Sequence, residues 1–322
     1  MNKMLKKIVV FGAGAWGSAL AKIISQNIEE VFIYSKNPET VREINHEHKN
    51  FAKLGDISLP TNIKAIDNFE DVKNINTCVI AIPVRFLDSF VKMIKNQTFL
   101  QNFIICSKGI ENEKLKFPSD ICKQYFPNAN IAILSGPNFA KEIIYEKFAK
   151  TLIASKNNEF LSSAKKIFDT KFFKTEISND VVGVEVCGAV KNLIAIALGI
   201  AKGLELGENF MATLFVFSLN EINNLIKSLG GNIDTTYSLA GIGDLILTSY
   251  SLTSRNTKFG FELAKNQQML DLDNIVVEGY YTAKSIYKIS QSLKIQMPLC
   301  HYVYKVLYLK EDIYNIIEII KK

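Results

Sequence analysis

A doubly wound α/β domain followed by an all-α C-terminal domain is what the sequence predicts, on three observations. The first half of the 322-residue chain alternates short β-rich runs with helically spaced segments, the pattern of strand–helix–strand units. Those β-rich runs are almost continuously apolar, as parallel strands buried on both faces are. After about residue 179 the strand signals nearly vanish and long helical patterns take over.

In order, Lys7–Phe11, Val31–Tyr34, Thr77–Ile82, Asn102–Ser107 and Asn130–Leu134 read as strands rich in Val, Ile and Phe, and Thr151–Ala154 and Phe172–Thr175 finish the sheet. Ala15–Gln26, Pro38–His46 and Phe86–Lys95 carry helical spacing between them. The second half reads as helices over Asp180–Lys202, Asn209–Leu229, Lys258–Lys265, Gly279–Leu293 and Pro298–Leu309. This length is more than one core usually fills, so the expected domains are 1–179 and 180–322. No internal repeat or low-complexity linker interrupts them.

Composition excludes several classes. Hydrophobic residues make up 48% and charged residues 22%, an ordinary globular balance. The net charge is +6, but the lysines are spread along the chain; a nucleic-acid-binding arm would cluster them, so no nucleic-acid partner is expected. A mildly cationic surface suits anionic small molecules through steering; a solvated basic surface without a partner fits equally. Cys78, Cys106, Cys122, Cys187 and Cys300 form no C-x-x-C pair and lie mostly in apolar segments, as free thiols do in a reducing compartment. The expected location is therefore cytoplasmic. Lys3, Lys6 and Lys7 before Ile8–Ala15 resemble the start of a signal peptide, but Gly12, Gly14 and Gly17 break the apolar run. No apolar stretch approaches the ~20 residues of a membrane span; Leu193–Ala201 and Met211–Leu219 have the length of buried helices.

Gly12-Ala13-Gly14-Ala15-Trp16-Gly17 follows a predicted strand and opens a predicted helix. Gly12 permits the tight turn, Gly14 lets a pyrophosphate reach the backbone, and Gly17 lets helix and strand pack closely. The helix N-terminus adds free N–H groups and a positive dipole. With both flanks in place the motif predicts dinucleotide binding. NAD-specific sites place an acidic residue about twenty residues on, for the ribose 2′-OH. Here the second strand ends Ile33-Tyr34-Ser35-Lys36-Asn37, with no carboxylate before Glu39. Lys36 would attract a 2′-phosphate, with Ser35 or Asn37 hydrogen-bonding it, so the reading leans to NADPH or to tolerance of NADH as well. A solvated surface lysine fits the same position.

Hydride reduction of a ketone needs a proton donor. His46 and His48 lie beyond the second strand, and His301 sits on an apolar helical pattern. No acidic or cysteine partner is spaced to complete a metal site around His46-x-His48. The acid is then Lys, Tyr or Asp. Ser107-Lys108-Gly109 ends a strand on the side where such sheets bind ligands. Gly188-Ala189-Val190-Lys191-Asn192 places a lysine inside an apolar helix, where desolvation drives its pKa toward neutrality unless it is paired. Ala240-Gly241-Ile242-Gly243-Asp244-Leu245 offers an acid as partner. A snorkelling or purely structural lysine fits that pattern too.

Taken together, these segments resemble bacterial glycerol-3-phosphate dehydrogenases. Gly183–Asn192, Ala240–Leu245, Thr253-Ser254-Arg255-Asn256-Thr257-Lys258-Phe259-Gly260, Ser135-Gly136-Pro137-Asn138-Phe139-Ala140 and Val276-Val277-Glu278-Gly279 stand in that family's order, with Gly12–Gly17 and Ser107–Gly109. The resemblance implies a Rossmann-type domain for NADPH or NADH and a helical substrate domain acting on dihydroxyacetone phosphate and glycerol 3-phosphate. It implies Lys191 as general acid/base, with Lys108 and Asp244 around it and Lys108 contacting substrate. Ser254, Arg255 and Asn256 would clamp the substrate phosphate, a task that suits the planar fork of Arg255. Gly136 and Asn138 would line the substrate pocket. Gly12, Gly14, Ala15, Trp16, Gly17, Lys36, Lys108, Ala140, Arg255 and Glu278 would face the cofactor. The product would feed phospholipid synthesis, and a homodimer is compatible with the sequence. Asn138 departs from the family's usual Ser or Thr, Ala15 from Ser, and Lys36 from Arg. Related two-domain dehydrogenases of β-hydroxy acids or ketopantoate would be expected to lack the Ser254-Arg255-Asn256 cluster, and a non-catalytic dinucleotide sensor would not need a buried lysine paired with an acid.

Overall fold

A computed structural model describes residues 5–266 and 277–321. It divides into two compact units. The first comprises residues up to Ser107, Pro118–Leu134 and Asn138–Val181; the second takes Lys108–Phe117, Ser135–Pro137 and everything from Val182 onward. Two short excursions from the sheet half of the sequence, carrying Lys108 and Gly136, are thus built into the helical unit.

The first unit holds one sheet of eight strands: β1 (Lys7–Phe11), β2 (Glu30–Tyr34), β3 (Ile63–Ile66), β4 (Thr77–Ile80), β5 (Asn102–Ile105), β6 (Asn130–Ser135), β7 (Ala149–Ser155) and β8 (Phe173–Ser178). Their order is β3-β2-β1-β4-β5-β6-β7-β8. β1 pairs in parallel with both β2 and β4, so it lies where the chain reverses its direction of travel across the sheet. A doubly wound sheet binds its ligand at that switch point, beyond the carboxyl ends of the strands. The helices of this unit are α1 (Ala15–Ile24), α2 (Pro38–Glu47), α3 (Phe51–Leu54), α4 (Leu87–Ile94), α5 (Pro118–Tyr125), α6 (Ala140–Ile144) and α7 (Asn158–Phe168). Ile8, Val10, Leu20, Ile33, Val79, Ile104 and Phe168 belong to its core. β3 is a strand the sequence reading lacks: four residues long and half-interrupted by exposed Lys64, it has too little apolar run to register.

The second unit is helical: α8 (Val181–Gly203), α9 (Glu208–Ser228), α10 (Asp244–Tyr250), α11 (Arg255–Asn266), α12 (Glu278–Leu293), α13 (Pro298–Leu309) and α14 (Ile316–Ile319). One expectation needs correcting. α8 runs unbroken for 23 residues with mean hydropathy 1.9 over its most apolar window, long and apolar enough to cross a membrane. That window is 94% buried inside the protein, which makes α8 the core helix of the unit. Lys191 and the glycines divided the run in the sequence, but neither breaks the helix. α11 crosses α8 at backbone distance: a Cβ on Gly199 would lie 2.2 Å from the Thr257 carbonyl oxygen, and one on Gly260 2.1 Å from that of Ile196. All five cysteines are free and buried.

Candidate active site

The glycine-rich turn joins β1 to α1 in the first unit. Gly12 has φ +114°, a conformation L side chains rarely adopt, and a Cβ there would meet the Ala81 carbonyl oxygen at 2.8 Å. A Cβ on Gly17 would lie 1.8 Å from the Gly12 carbonyl oxygen. Both glycines are therefore required by the protein itself. Gly14 is different: its φ is −74° and a Cβ there meets nothing within 4 Å. The protein leaves that space open, and no side chain caps the N-terminus of α1. Uncapped N–H groups, a positive helix end and an empty cradle over Gly14 are what a pyrophosphate needs, so these residues fit a dinucleotide. Trp16 is half-buried against the core beside the turn.

At the end of β2, Lys36 is exposed. The Ser35 hydroxyl accepts from Asn37 N at 3.1 Å, and Asn37 Oδ1 accepts from Glu39 N at 2.9 Å to cap α2. Those bonds leave a cation and a free hydroxyl proton at the strand end, with Glu39 spent on the first turn of α2. Also in this unit, Ala140 opens α6. Asn138 donates to Thr151 Oγ1 at 2.8 Å, while its Oδ1 is buried without a partner.

The second unit assembles the charged residues. Lys191, 8% exposed, donates from Nζ to Asp244 Oδ1 at 2.6 Å and to Thr248 Oγ1 at 2.9 Å. Lys108 donates to the other oxygen of Asp244 at 2.6 Å and lies 3.5 Å from the Gly136 carbonyl oxygen. One buried carboxylate thus bridges two ammonium groups. Burial pushes the Lys191 pKa down to about 8, helped by the Lys108 charge and opposed by Asp244. Burial alone would raise the Asp244 carboxyl, but the two ammonium groups outweigh it and hold it below the usual carboxylate range. Both lysines owe their place to local structure. Lys191 sits on the buried core helix, and Lys108 lies where Gly188, three residues earlier on α8, offers no side chain: a Cβ there would touch Lys108 Cγ at 3.6 Å.

The Ser254-Arg255-Asn256 segment opens α11 in the same unit. Ser254 is buried and its Oγ accepts from Thr257 N at 3.4 Å. Arg255 is exposed, and among the described residues its guanidinium forms no ion pair. Asn256 donates to Asn192 Oδ1 and accepts from Gly279 N, both at 2.9 Å, tying α8, α11 and α12 together. Glu278 begins α12; Val276, quoted with it above, lies outside the described residues.

Comparison with known proteins identifies the family of the chain. The family model of the NAD-dependent glycerol-3-phosphate dehydrogenase N-terminus matches residues 7–161, and that of the C-terminus residues 180–318. The glycerol-3-phosphate dehydrogenase [NAD(P)+] of Clostridium botulinum is 36% identical, over 96% of this chain and 94% of its own. The chain belongs to the NAD-dependent glycerol-3-phosphate dehydrogenase family. A glycosomal glycerol-3-phosphate dehydrogenase [NAD(+)] of Leishmania mexicana is 35% identical, over 96% of this chain and 87% of its own. The crystal structure of glycerol-3-phosphate dehydrogenase from Coxiella burnetii superposes with TM-score 0.92 at 27% identity, covering 99% of this chain and all of that one. This member of the family is therefore an NAD(P)-dependent oxidoreductase with a Rossmann-type first domain and a helical second one.

Within this family member, the residues read from sequence fall into two groups. Gly12, Gly14, Ala15, Trp16, Gly17, Lys36, Asn138 and Ala140 belong to the first unit; Lys108, Gly136, Lys191, Asp244, Ser254, Arg255, Asn256 and Glu278 belong to the second. Thr248 was missed. It lies four residues after Asp244 on α10, and that i, i+4 spacing puts the two on one helix face; recognising that α10 starts at Asp244 would have found it. Among the described residues no three His, Cys, Asp or Glu side chains come together to hold a metal ion.

Proposed function

We propose that this chain interconverts dihydroxyacetone phosphate and sn-glycerol 3-phosphate, with Lys191 as general acid and base. The observation that carries the reading is a nearly buried ammonium, hydrogen-bonded at 2.6 Å to a carboxylate that a second lysine also contacts. A bound cofactor supplies the hydride, or accepts it in the reverse direction. As C2 of the ketone gains hydride, its oxygen takes a proton from Lys191 Nζ, leaving a neutral amine that water reprotonates. In oxidation the neutral amine removes the hydroxyl proton as hydride leaves C2. A pKa of about 8 serves both directions, because the most useful catalytic group titrates near the working pH.

Asp244 and Thr248 hold Nζ in one position, and Lys108 adds positive charge where the alkoxide develops. A well-placed donor in a dry site contributes roughly 3–4 kcal/mol. Arg255 is the exposed cation suited to a bidentate grip on phosphate, and Ser254 and Asn256 fix the helix start beside it. Lys36 favours NADPH without excluding NADH. A cytoplasmic homodimer supplying glycerol 3-phosphate for phospholipid synthesis is the setting this reading implies.

The deciding assay follows NADPH absorbance with dihydroxyacetone phosphate, ketopantoate and a β-keto acid in parallel. Consumption with dihydroxyacetone phosphate alone is expected. No turnover of it, or faster turnover of an unphosphorylated ketone, overturns the assignment.

A further inference from the structure

Asn50 stands at the N-terminal cap position of α3, where an asparagine ordinarily turns its carboxamide onto the first amides of its own helix. Here it does not: no side-chain cap bond forms, and only the Asn50 backbone carbonyl serves α3, accepting from Lys53 N at 3.1 Å and Leu54 N at 2.8 Å. The side chain reaches instead across more than thirty residues of sequence. Its Nδ2 donates to the Ala13 carbonyl oxygen at 2.9 Å and to Ser18 Oγ at 3.0 Å. It is completely buried, and its Oδ1 has no hydrogen-bond partner. A buried amide oxygen left unserved is unfavourable, so the fold retains this residue for its two donated bonds.

The bond to Ala13 has a geometric consequence. The Ala13 carbonyl and the Gly14 N–H belong to one planar trans peptide, in which C=O and N–H point in opposite directions. Holding the carbonyl inward against Asn50 turns the Gly14 N–H outward. That N–H donates to no described backbone carbonyl. It stands at the one glycine of the turn whose missing Cβ leaves open space. A peptide flanked by glycine rotates easily when nothing restrains it, and a rotated peptide would present a carbonyl oxygen to an anion. The second bond, to Ser18 in α1, ties the same side chain to the helix whose N-terminus follows.

We propose that Asn50 is a positioning residue for the cofactor: it locks the Ala13–Gly14 peptide so that the Gly14 amide donates to the pyrophosphate. The proposal rests on the dinucleotide-binding reading of this turn. It acts through Gly14 and requires no contact between Asn50 and the cofactor.

Trp16, the single tryptophan of the chain, lies in the turn and reports binding by fluorescence. The test titrates wild type, Asn50→Ala and Ser18→Ala with NADPH, NADH, ADP-ribose and adenosine, with circular dichroism to check the fold. Wild-type binding of NADPH is the control; its failure would count against the dinucleotide reading itself. In folded Asn50→Ala, affinity for the three pyrophosphate-containing ligands is expected to fall about 10- to 100-fold, the loss of one charge-assisted hydrogen bond. Adenosine binding, kcat at saturating cofactor and KM for dihydroxyacetone phosphate are expected to stay within about twofold, while Ser18→Ala, which keeps the Ala13 bond, stays near wild type. Equal weakening for adenosine, or unchanged affinity for ADP-ribose, overturns the proposal. Should Asn50→Ala fail to fold, the wild-type protein decides by amide NMR. A slowly exchanging Asn50 carboxamide and a Gly14 amide that shifts on adding ADP-ribose are expected; a freely exchanging carboxamide or an unmoved Gly14 amide refutes it.

Discussion

The glycine-rich turn of the first unit and the lysine–aspartate cluster of the second solve the binding of charge in opposite ways. At the turn, the groups on offer to a ligand are backbone amides, and the sequence contributes mainly by omission: two positions must lack a side chain for the protein's own packing, and a third leaves open space. In the cluster, backbone contributes little and the arrangement is made of side chains, two ammonium groups sharing one buried carboxylate. The first site therefore tolerates Ala15 where relatives are expected to carry serine, since the N–H survives. The second has no such tolerance, because each charge is balanced by a specific neighbour.

Substitutions can break that contrast. Gly17→Ala is expected to act most strongly, since its Cβ would stand 1.8 Å from the Gly12 carbonyl oxygen. Cofactor binding, read by Trp16 fluorescence, should be lost outright; retained binding would show that the turn is more plastic than its geometry. Lys191→Ala should lower kcat by roughly 10²–10⁴, the usual worth of a general acid, while NADPH affinity is unchanged. A kcat near wild type would remove Lys191 from the chemistry.

Acidity sharpens the contrast further. With Lys191 titrating at about 8, reduction, which needs the ammonium, should decline as pH rises through that value, and oxidation, which needs the amine, should rise. In Asp244→Asn the influence that raises the Lys191 pKa is gone while that of Lys108 persists. The alkaline limb should move to lower pH, so that kcat for reduction falls most on the alkaline side of neutrality and much less below it. An unmoved limb would mean that the profile reports another group. Lys36→Asp is a smaller change: one exposed charge is worth about 1 kcal/mol or less, so the NADPH-to-NADH preference should shift toward NADH by at most about tenfold. No shift would leave Lys36 a solvated surface residue.

The mildest prediction compares two buried charges in the second unit. Lys191 has a countercharge; Glu221 on α9 has instead neutral donors, Leu299 N at 2.5 Å, Cys300 N at 3.0 Å and the Cys300 thiol. Burial raises its carboxyl from 4.5 to about 7. A raised folded-state pKa gives stability that is complete below the unfolded value and lost as pH rises through the folded one. Thermal stability should therefore decline between about pH 5 and pH 7 by an amount on the order of 3 kcal/mol at most. Glu221→Gln should flatten that decline; an equally steep slope in the variant would place its origin elsewhere.

How much of this was legible in the sequence depended on distance along the chain. Strands β1, β4 and β5 announced themselves as apolar runs, and Gly12–Gly17 as a local pattern with the right flanks. β3 was too short and too interrupted by Lys64 to do so, and α7 begins with a polar stretch whose buried stripe of Phe160, Leu161, Ala164, Ile167 and Phe168 becomes clear only when folded. Lys191 stood out because a cation in an apolar helix needs an explanation. Thr248 and Asn50 did not, being ordinary residues whose meaning comes from partners 57 and 37 positions away. No local pattern encodes such pairings. Nor did the sequence reveal that Asn256 joins three helices as well as standing beside Arg255.

The close crossing of α8 and α11 carries one more consequence. Because Gly199 and Gly260 let the two helix backbones touch, the span from the Lys191 ammonium to the start of α11 is fixed like the gap of a caliper. A substrate whose anionic group is gripped at one jaw and whose carbonyl must reach the other is then selected by its length. On the proposed roles of Lys191 and Arg255, molecules one carbon shorter or longer should be turned away by geometry, even where their reactive groups are identical.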